Sequence, residues 1–196
     1  MSGKQGPTCH IVAGPNGSGK TTFAMKYLPS IVSCRNFINA DEIARGISPL
    51  DFTAGQLQAS KLFLRELEQK IEQRETFAFE TTLAGRGYLS RIRAWRDLGW
   101  QVSLWYLYIP SAEFSAQRVA LRVEQGGHNV PEETIFRRFS RTVKNLFDYA
   151  DVCDRTFCLD NSQETIRPIF EKRIDTDYFI YEQQIYSRLE GLARNE

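Results

Sequence analysis

The sequence predicts an α/β fold, a parallel sheet with helices on both faces. Two observations carry this. Strand-like and helix-like segments alternate along the 196 residues, which specifies parallel strands joined by helical crossovers. The first strand-like segment also runs straight into Gly14-Pro15-Asn16-Gly17-Ser18-Gly19-Lys20-Thr21-Thr22. That run fits the G-x-x-x-x-G-K-[ST] phosphate loop in its required strand–loop–helix setting, the mark of a P-loop NTPase fold. A chain of this length buries roughly 70% of its unfolded surface, so one core suffices and residues 1–196 are expected to form one domain.

Thr8 to Ala13 is the first strand. Thr21 to Tyr27 opens the first helix, which Pro29 is expected to stop. Asn36 to Asn39 is a short second strand. Gln56 to Arg74 forms a long helix with Leu57, Leu64, Leu67 and Ile71 on one face. Thr76 to Phe79 is a third strand, and Tyr88 to Leu98 a helix closed by Gly99. Gln101 to Ile109 is a nearly unbroken apolar run ending at Pro110, as expected of a strand buried on both faces. Ser111 caps a helix to about Gln125, and Pro131 starts another to about Phe147. Arg155 to Leu159 is a last short strand. The remainder reads as largely helical, with the aromatic-rich tail from Ile174 onward a packed helix.

The phosphate loop has a direct physical logic. Its glycines let successive N–H groups turn inward, and the following helix adds unpaired N–H donors and a positive dipole end. Gly14, Pro15, Asn16, Gly17, Ser18, Gly19, Lys20, Thr21 and Thr22 are therefore expected to cradle ATP. Lys20 would reach the β- and γ-phosphates, and the Thr21 hydroxyl would ligate Mg²⁺. No Asn-Lys-x-Asp guanine reader or Leu-Ser-Gly-Gly-Gln transporter signature occurs, which sets aside G-proteins and transporter ATPases.

Three further constellations point to phosphoryl transfer. Asn39-Ala40-Asp41-Glu42 follows the second strand, at the sheet edge where open α/β folds bind ligands. Asp41 is read there as the base that takes a substrate hydroxyl's proton; the alternative is an N-cap for Glu42 to Arg45. Glu80-Thr81-Thr82 ends the third strand. Glu80 is expected at Mg²⁺ or a substrate hydroxyl, with Thr81 and Thr82 donating to substrate oxygens, the alternative being that Thr81 or Thr82 caps the turn. Finally, Arg118 and Arg122 precede the break Gly126-Gly127-His128-Asn129-Val130-Pro131, and Arg137, Arg138 and Arg141 follow it. This helix–turn–helix, about 112–147, looks like a lid that puts guanidinium groups on the transferring phosphoryl charge. Arg122 and Arg138 are the first choices, then Arg118 and Arg141, with His128 a turn-stabilising donor. Asn161, after the last strand, would read the adenine edge or make an Asx-turn.

Composition narrows the partners. Hydrophobic content is 42%, charged content 25% and net charge +1, which argues against a large basic face for duplex nucleic acid. Neither an export signal nor a run of about 18 apolar residues is found, so a cytoplasmic protein without membrane contact is expected. Cys9, Cys34, Cys153 and Cys158 form no C-x-x-C pair and read as reduced thiols.

The ordered set Gly14–Thr22, Asn39-Ala40-Asp41, Glu80-Thr81-Thr82 and the string from Arg118 to Arg141 resembles the zeta-toxin family of P-loop kinases. The resemblance spans roughly residues 8–162. It implies an ATP- and Mg²⁺-dependent kinase with a five-stranded parallel sheet in the order 2-3-1-4-5. It also implies Asp41 as general base, Lys20 and the lid arginines on the transition state, and Glu80 and Thr82 at the substrate. Well-known members phosphorylate the sugar 3′-hydroxyl of UDP-N-acetylglucosamine and are restrained by a small antitoxin. An antitoxin-like partner and that metabolite are thus implied. This chain is shorter than those toxins and looks closer to compact chromosomal relatives. A polynucleotide-end kinase and an ATP-gated binding module remain the alternatives from the residues alone.

Overall fold

The computed structural model describes residues 6–127 and 129–194. His128 lies outside them. Along the chain run β1 (Thr8–Ala13), α1 (Lys20–Ile31), β2 (Phe37–Ile38), α2 (Ala40–Ile47), α3 (Phe52–Gln73), β3 (Phe77–Thr81) and α4 (Gly87–Asp97). There follow β4 (Gln101–Tyr108), α5 (Ala112–Glu124), α6 (Glu132–Ala150), β5 (Arg155–Asp160), β6 (Arg167–Arg173), β7 (Phe179–Ile180) and α7 (Gln183–Arg194). The sheet order is β2-β3-β1-β4-β5-β6-β7. Its first five strands are parallel, in the order expected.

Among the described residues the sheet has seven strands, not five. β6 pairs antiparallel with β5, and β7 antiparallel with β6, in a stretch expected to be helical. Among the described residues of that stretch, only α7 is a helix. Pro29 does not end α1, which continues to Ile31. A proline this close to the C-terminal end removes one helical hydrogen bond and leaves the next two residues in place.

Alternation along the strands sets the two cores. Cys9, Ile11 and Ala13 of β1, Phe77 and Phe79 of β3, and Val102, Leu104, Tyr106 and Tyr108 of β4 face the larger one. It is closed by α3, α4, α6 and α7. Val12, Ala78, Trp105 and Leu107 face the other side, covered by Phe23, Ala24 and Leu28 of α1. That double burial is why β4 reads as an unbroken apolar run. On α3 the buried face is Ala59, Phe63 and Leu67, whereas Leu57 and Leu64 are exposed, contrary to the expected stripe. Gly55 explains the rotation: a Cβ there would stand 2.7 Å from the Ala44 carbonyl oxygen, so α3 and α2 meet backbone to backbone. Phe147, Phe170, Tyr178 and Tyr186 form an aromatic cluster that fixes α7 over β6 and α6, with Phe170 and Tyr186 centroids 5.5 Å apart.

The segment expected to be a lid divides in two. Val119, Val130 and Ile135 make a small separate cluster between α5 and the start of α6. From Phe139 onward, α6 belongs to the larger core. Among the described residues no helix is long and apolar enough to cross a membrane.

Candidate active site

The C-terminal ends of β1, β2 and β3 open into a cleft of about 750 Å³. The phosphate loop forms one wall. Gly19 caps α1 with no side-chain bond, and the first turn of α1 carries no acid. The helix therefore presents its free N–H groups and positive dipole end to the cleft. Gly17 adopts φ 71°, and a Cβ there would lie 2.9 Å from the Ser115 carbonyl oxygen and 3.0 Å from Arg118 Cβ. Only glycine lets the loop lie this close to α5.

Lys20 is buried and donates to the carbonyls of Gly14 (3.1 Å) and Pro15 (2.9 Å). An ammonium has three N–H donors, so one is left for a phosphate. Burial lowers the Lys20 pKa, the carboxylates of Glu80 and Asp41 oppose that, and the cations Arg122 and Arg138 reinforce it. Four charged side chains singled out from separate parts of the sequence thus act on one ammonium group. All four also line the cleft.

The Thr21 hydroxyl donates to Glu80 Oε2 at 2.7 Å, and the Asn39 amide donates to Thr21 Oγ1 at 3.4 Å. The α1 terminus, the end of β3 and the start of α2 meet at this point. The motif Asn39-Ala40-Asp41-Glu42 by itself assigns no task to Asn39. Its Oδ1 accepts from Asp41 N (2.8 Å) and Glu42 N (3.3 Å), so Asn39 is the N-cap of α2 and Asp41 is not. Asp41 sits in the first turn, exposed to the cleft. An Asn directly before the first helical residue was the signal for that cap.

Among the described residues no group of three His, Cys, Asp or Glu side chains is placed to hold a metal. Thr21 and Glu80 nevertheless suit Mg²⁺, which is commonly held by one or two protein oxygens and completes its shell with phosphates and waters. Thr82 lines the cleft and is half-buried.

The cationic residues separate. Arg122 and Arg138 line the cleft. Arg118 lines it too, but its guanidinium donates to the carbonyls of Asn161 (2.8 Å) and Ser162 (3.3 Å) and lies over the Phe114 ring. Arg141 is exposed and does not line the cleft. It lies three residues beyond Arg138, where α6 has already entered the larger core. The Asn161 amide donates to the Ser18 carbonyl at 2.7 Å, and the Asx-turn here belongs to Asp160, which accepts from Ser162 N at 2.9 Å. Arg118 and Asn161 together brace α5, the phosphate loop and the end of β5. Sequence reasoning missed Ser115, whose buried hydroxyl donates to the Asn16 carbonyl at 2.5 Å. It also missed Gln56, Ser60, Leu64 and Tyr88, which line the cleft from α3 and α4. Contacts so distant in sequence leave no local pattern.

A profile of the AAA domain family matches residues 10–145. An uncharacterized protein of Haemophilus influenzae is 29% identical over 126 residues, 64% of this chain and 88% of that protein. Among solved structures, the AvrRxo1-ORF1:AvrRxo1-ORF2 complex with sulphate ions superposes with a TM-score of 0.74 at 16% identity. That likeness covers 94% of this chain, which spans only 63% of the neighbour's. The PezAT chromosomal toxin–antitoxin system of Streptococcus pneumoniae gives 0.64 at 14% identity, over 98% of this chain and 87% of the other. The match over more than half of its length places the chain in the AAA domain family of P-loop proteins, with the fold of the zeta-toxin-like kinases.

Proposed function

We propose that the protein transfers the γ-phosphoryl group of ATP to a hydroxyl group of a metabolite. The observation that supports this reading best is the convergence of Asp41, Glu80, Arg122 and Arg138 on Lys20 in one cleft. A nucleotide-binding loop alone needs no carboxylate exposed beside it.

The loop N–H groups and Lys20 hold the β- and γ-phosphates. Asp41 accepts the proton as the acceptor oxygen attacks the γ-phosphorus. The bond to the β–γ bridging oxygen breaks, and ADP leaves with that electron pair. Arg122 and Arg138, which line the same cleft, stabilise the charge that spreads over the equatorial oxygens. Thr21 and Glu80 would hold Mg²⁺, which supplies charge neutralisation of the phosphates. Arg118 and Asn161 position the loop rather than touch the reacting atoms.

The test is Asp41→Asn assayed by mass spectrometry of a metabolite extract incubated with ATP. Products one phosphate heavier should vanish while ATP binding persists. Undiminished transfer by Asp41→Asn removes Asp41 from the chemistry. The solved toxin–antitoxin neighbour supports a small inhibitory protein as partner. Rescue of growth by a co-expressed neighbouring gene product is the measurement that checks it.

A further inference from the structure

The cleft is electrically lopsided. Its cations, Lys20, Arg118, Arg122 and Arg138, belong to the phosphate loop and the α5–α6 segment. Lys20 is seated on loop carbonyls, and Arg118 on the carbonyls after β5. The floor comes from α3, α4 and the residue after β3, elements joined by Phe79 against Phe63 and Tyr88: Gln56, Ser60, Leu64, Thr82 and Tyr88. Among the described residues lining this floor there is no Lys or Arg, and Asp41 borders it.

Basic residues near this floor in sequence are not in the lining. Lys61 and Arg65 of α3 are exposed. Arg86 pairs with Asp148 at 3.1 Å, and Arg91 with Glu68 at 3.3 Å. Arg45 is held by Glu42 at 3.0 Å. The floor instead offers an amide, three hydroxyls and an apolar wall. Burial pushes the Tyr88 phenol up, so it stays an O–H donor. Its ring is 5.1 Å from Phe79 and tilted against it, which fixes a flat surface of the kind a sugar ring packs on.

We infer that the acceptor is an uncharged or amine-bearing polyhydroxy compound, such as a glycoside, polyol or amino sugar, bound on the floor formed by Gln56, Ser60, Leu64, Thr82 and Tyr88. A phosphorylated sugar, a nucleotide-sugar or a polynucleotide end brings its own negative charge beside Asp41, Glu80 and the ATP phosphates, with no cation on that side to receive it. The inference rests on the kinase reading above. The group transferred and the proton taken by Asp41 are the same; only the acceptor is narrowed.

The experiment measures transfer from Mg-ATP by the full chain to four compound libraries. They are uncharged polyols and glycosides with amino sugars, the corresponding sugar phosphates, nucleotide-sugars, and 5′-hydroxyl oligonucleotides. Transfer should be confined to the first library, with kcat/KM at least tenfold above any phosphorylated counterpart, equal to about 1.4 kcal/mol. Ser60→Arg, which puts a cation on the floor, should shrink that preference tenfold or reverse it. Equal or faster transfer to any anionic library, or a preference unmoved by Ser60→Arg, overturns the charge assignment and leaves the kinase standing. No product from any library, with ATP still bound, overturns both.

Discussion

His10 offers a quantitative test of how this core is built. It sits on β1, 5% exposed, with Nδ1 facing the Trp105 indole N–H at 3.5 Å. That contact makes Nδ1 the acceptor and places the ring proton on Nε2. Burial lowers the His10 pKa from 6.5 to about 4. The sign follows from proton counting. Between about pH 6.5 and 4 the unfolded chain binds a proton at this ring and the folded chain does not, so acid favours unfolding. A shift of this size, at 1.36 kcal/mol per unit, removes about 3 kcal/mol by pH 4. Carboxylates titrate over the same range, so the quantity to measure is a difference. Urea denaturation of wild type and His10→Gln should be followed from pH 7 to pH 4. Wild type should lose about 3 kcal/mol more than the variant across that window, because glutamine keeps an acceptor for Trp105 and does not titrate. Parallel pH profiles, or an NMR titration of the His10 ring near 6.5, would falsify this account of the β1–β4 interior.

Other perturbations probe the site and its supports. Glu80→Gln removes the carboxylate that accepts from Thr21; kcat/KM should fall about 10- to 100-fold and the Mg²⁺ needed for half-maximal rate should rise, as read by a magnesium titration. Gly17→Ala forces a left-handed alanine against the Ser115 carbonyl; it should cost about 1–3 kcal/mol in denaturant melts and weaken ATP binding in calorimetry. Phe170→Ala empties the centre of the cluster with Phe147, Tyr178 and Tyr186; a loss of about 3–5 kcal/mol is expected, with ATP affinity retained wherever the protein stays folded.

Much of the fold and the site was legible because local chemistry and global position agree. The phosphate loop needs its glycines, lysine and threonine consecutively, so one stretch of chain carries the whole signal. Ser111 caps α5 as read, with its hydroxyl accepting from Phe114 N at 3.2 Å. The failures share a physical cause. β6 is Arg-Pro-Ile-Phe-Glu-Lys-Arg, with only Ile169 and Phe170 buried. It is a strand because β5 offers a ladder, and nothing in its own composition demands that. Leu57 and Leu64 keep the helical spacing of a core stripe, but the close approach at Gly55 turns α3 so that Phe63 points inward and Leu64 lines the cleft. Asn39 was visible as a capping residue type. Its second task, reaching Thr21 across eighteen positions, required coordinates.

The two outermost strands, β2 and β7, are each two residues long. An outermost strand of two residues offers another molecule little ladder of its own, which limits the edge-to-edge growth by which open sheets seed aggregates. Insertions that lengthen either stub with alternating apolar residues should therefore promote aggregation before they disturb the fold.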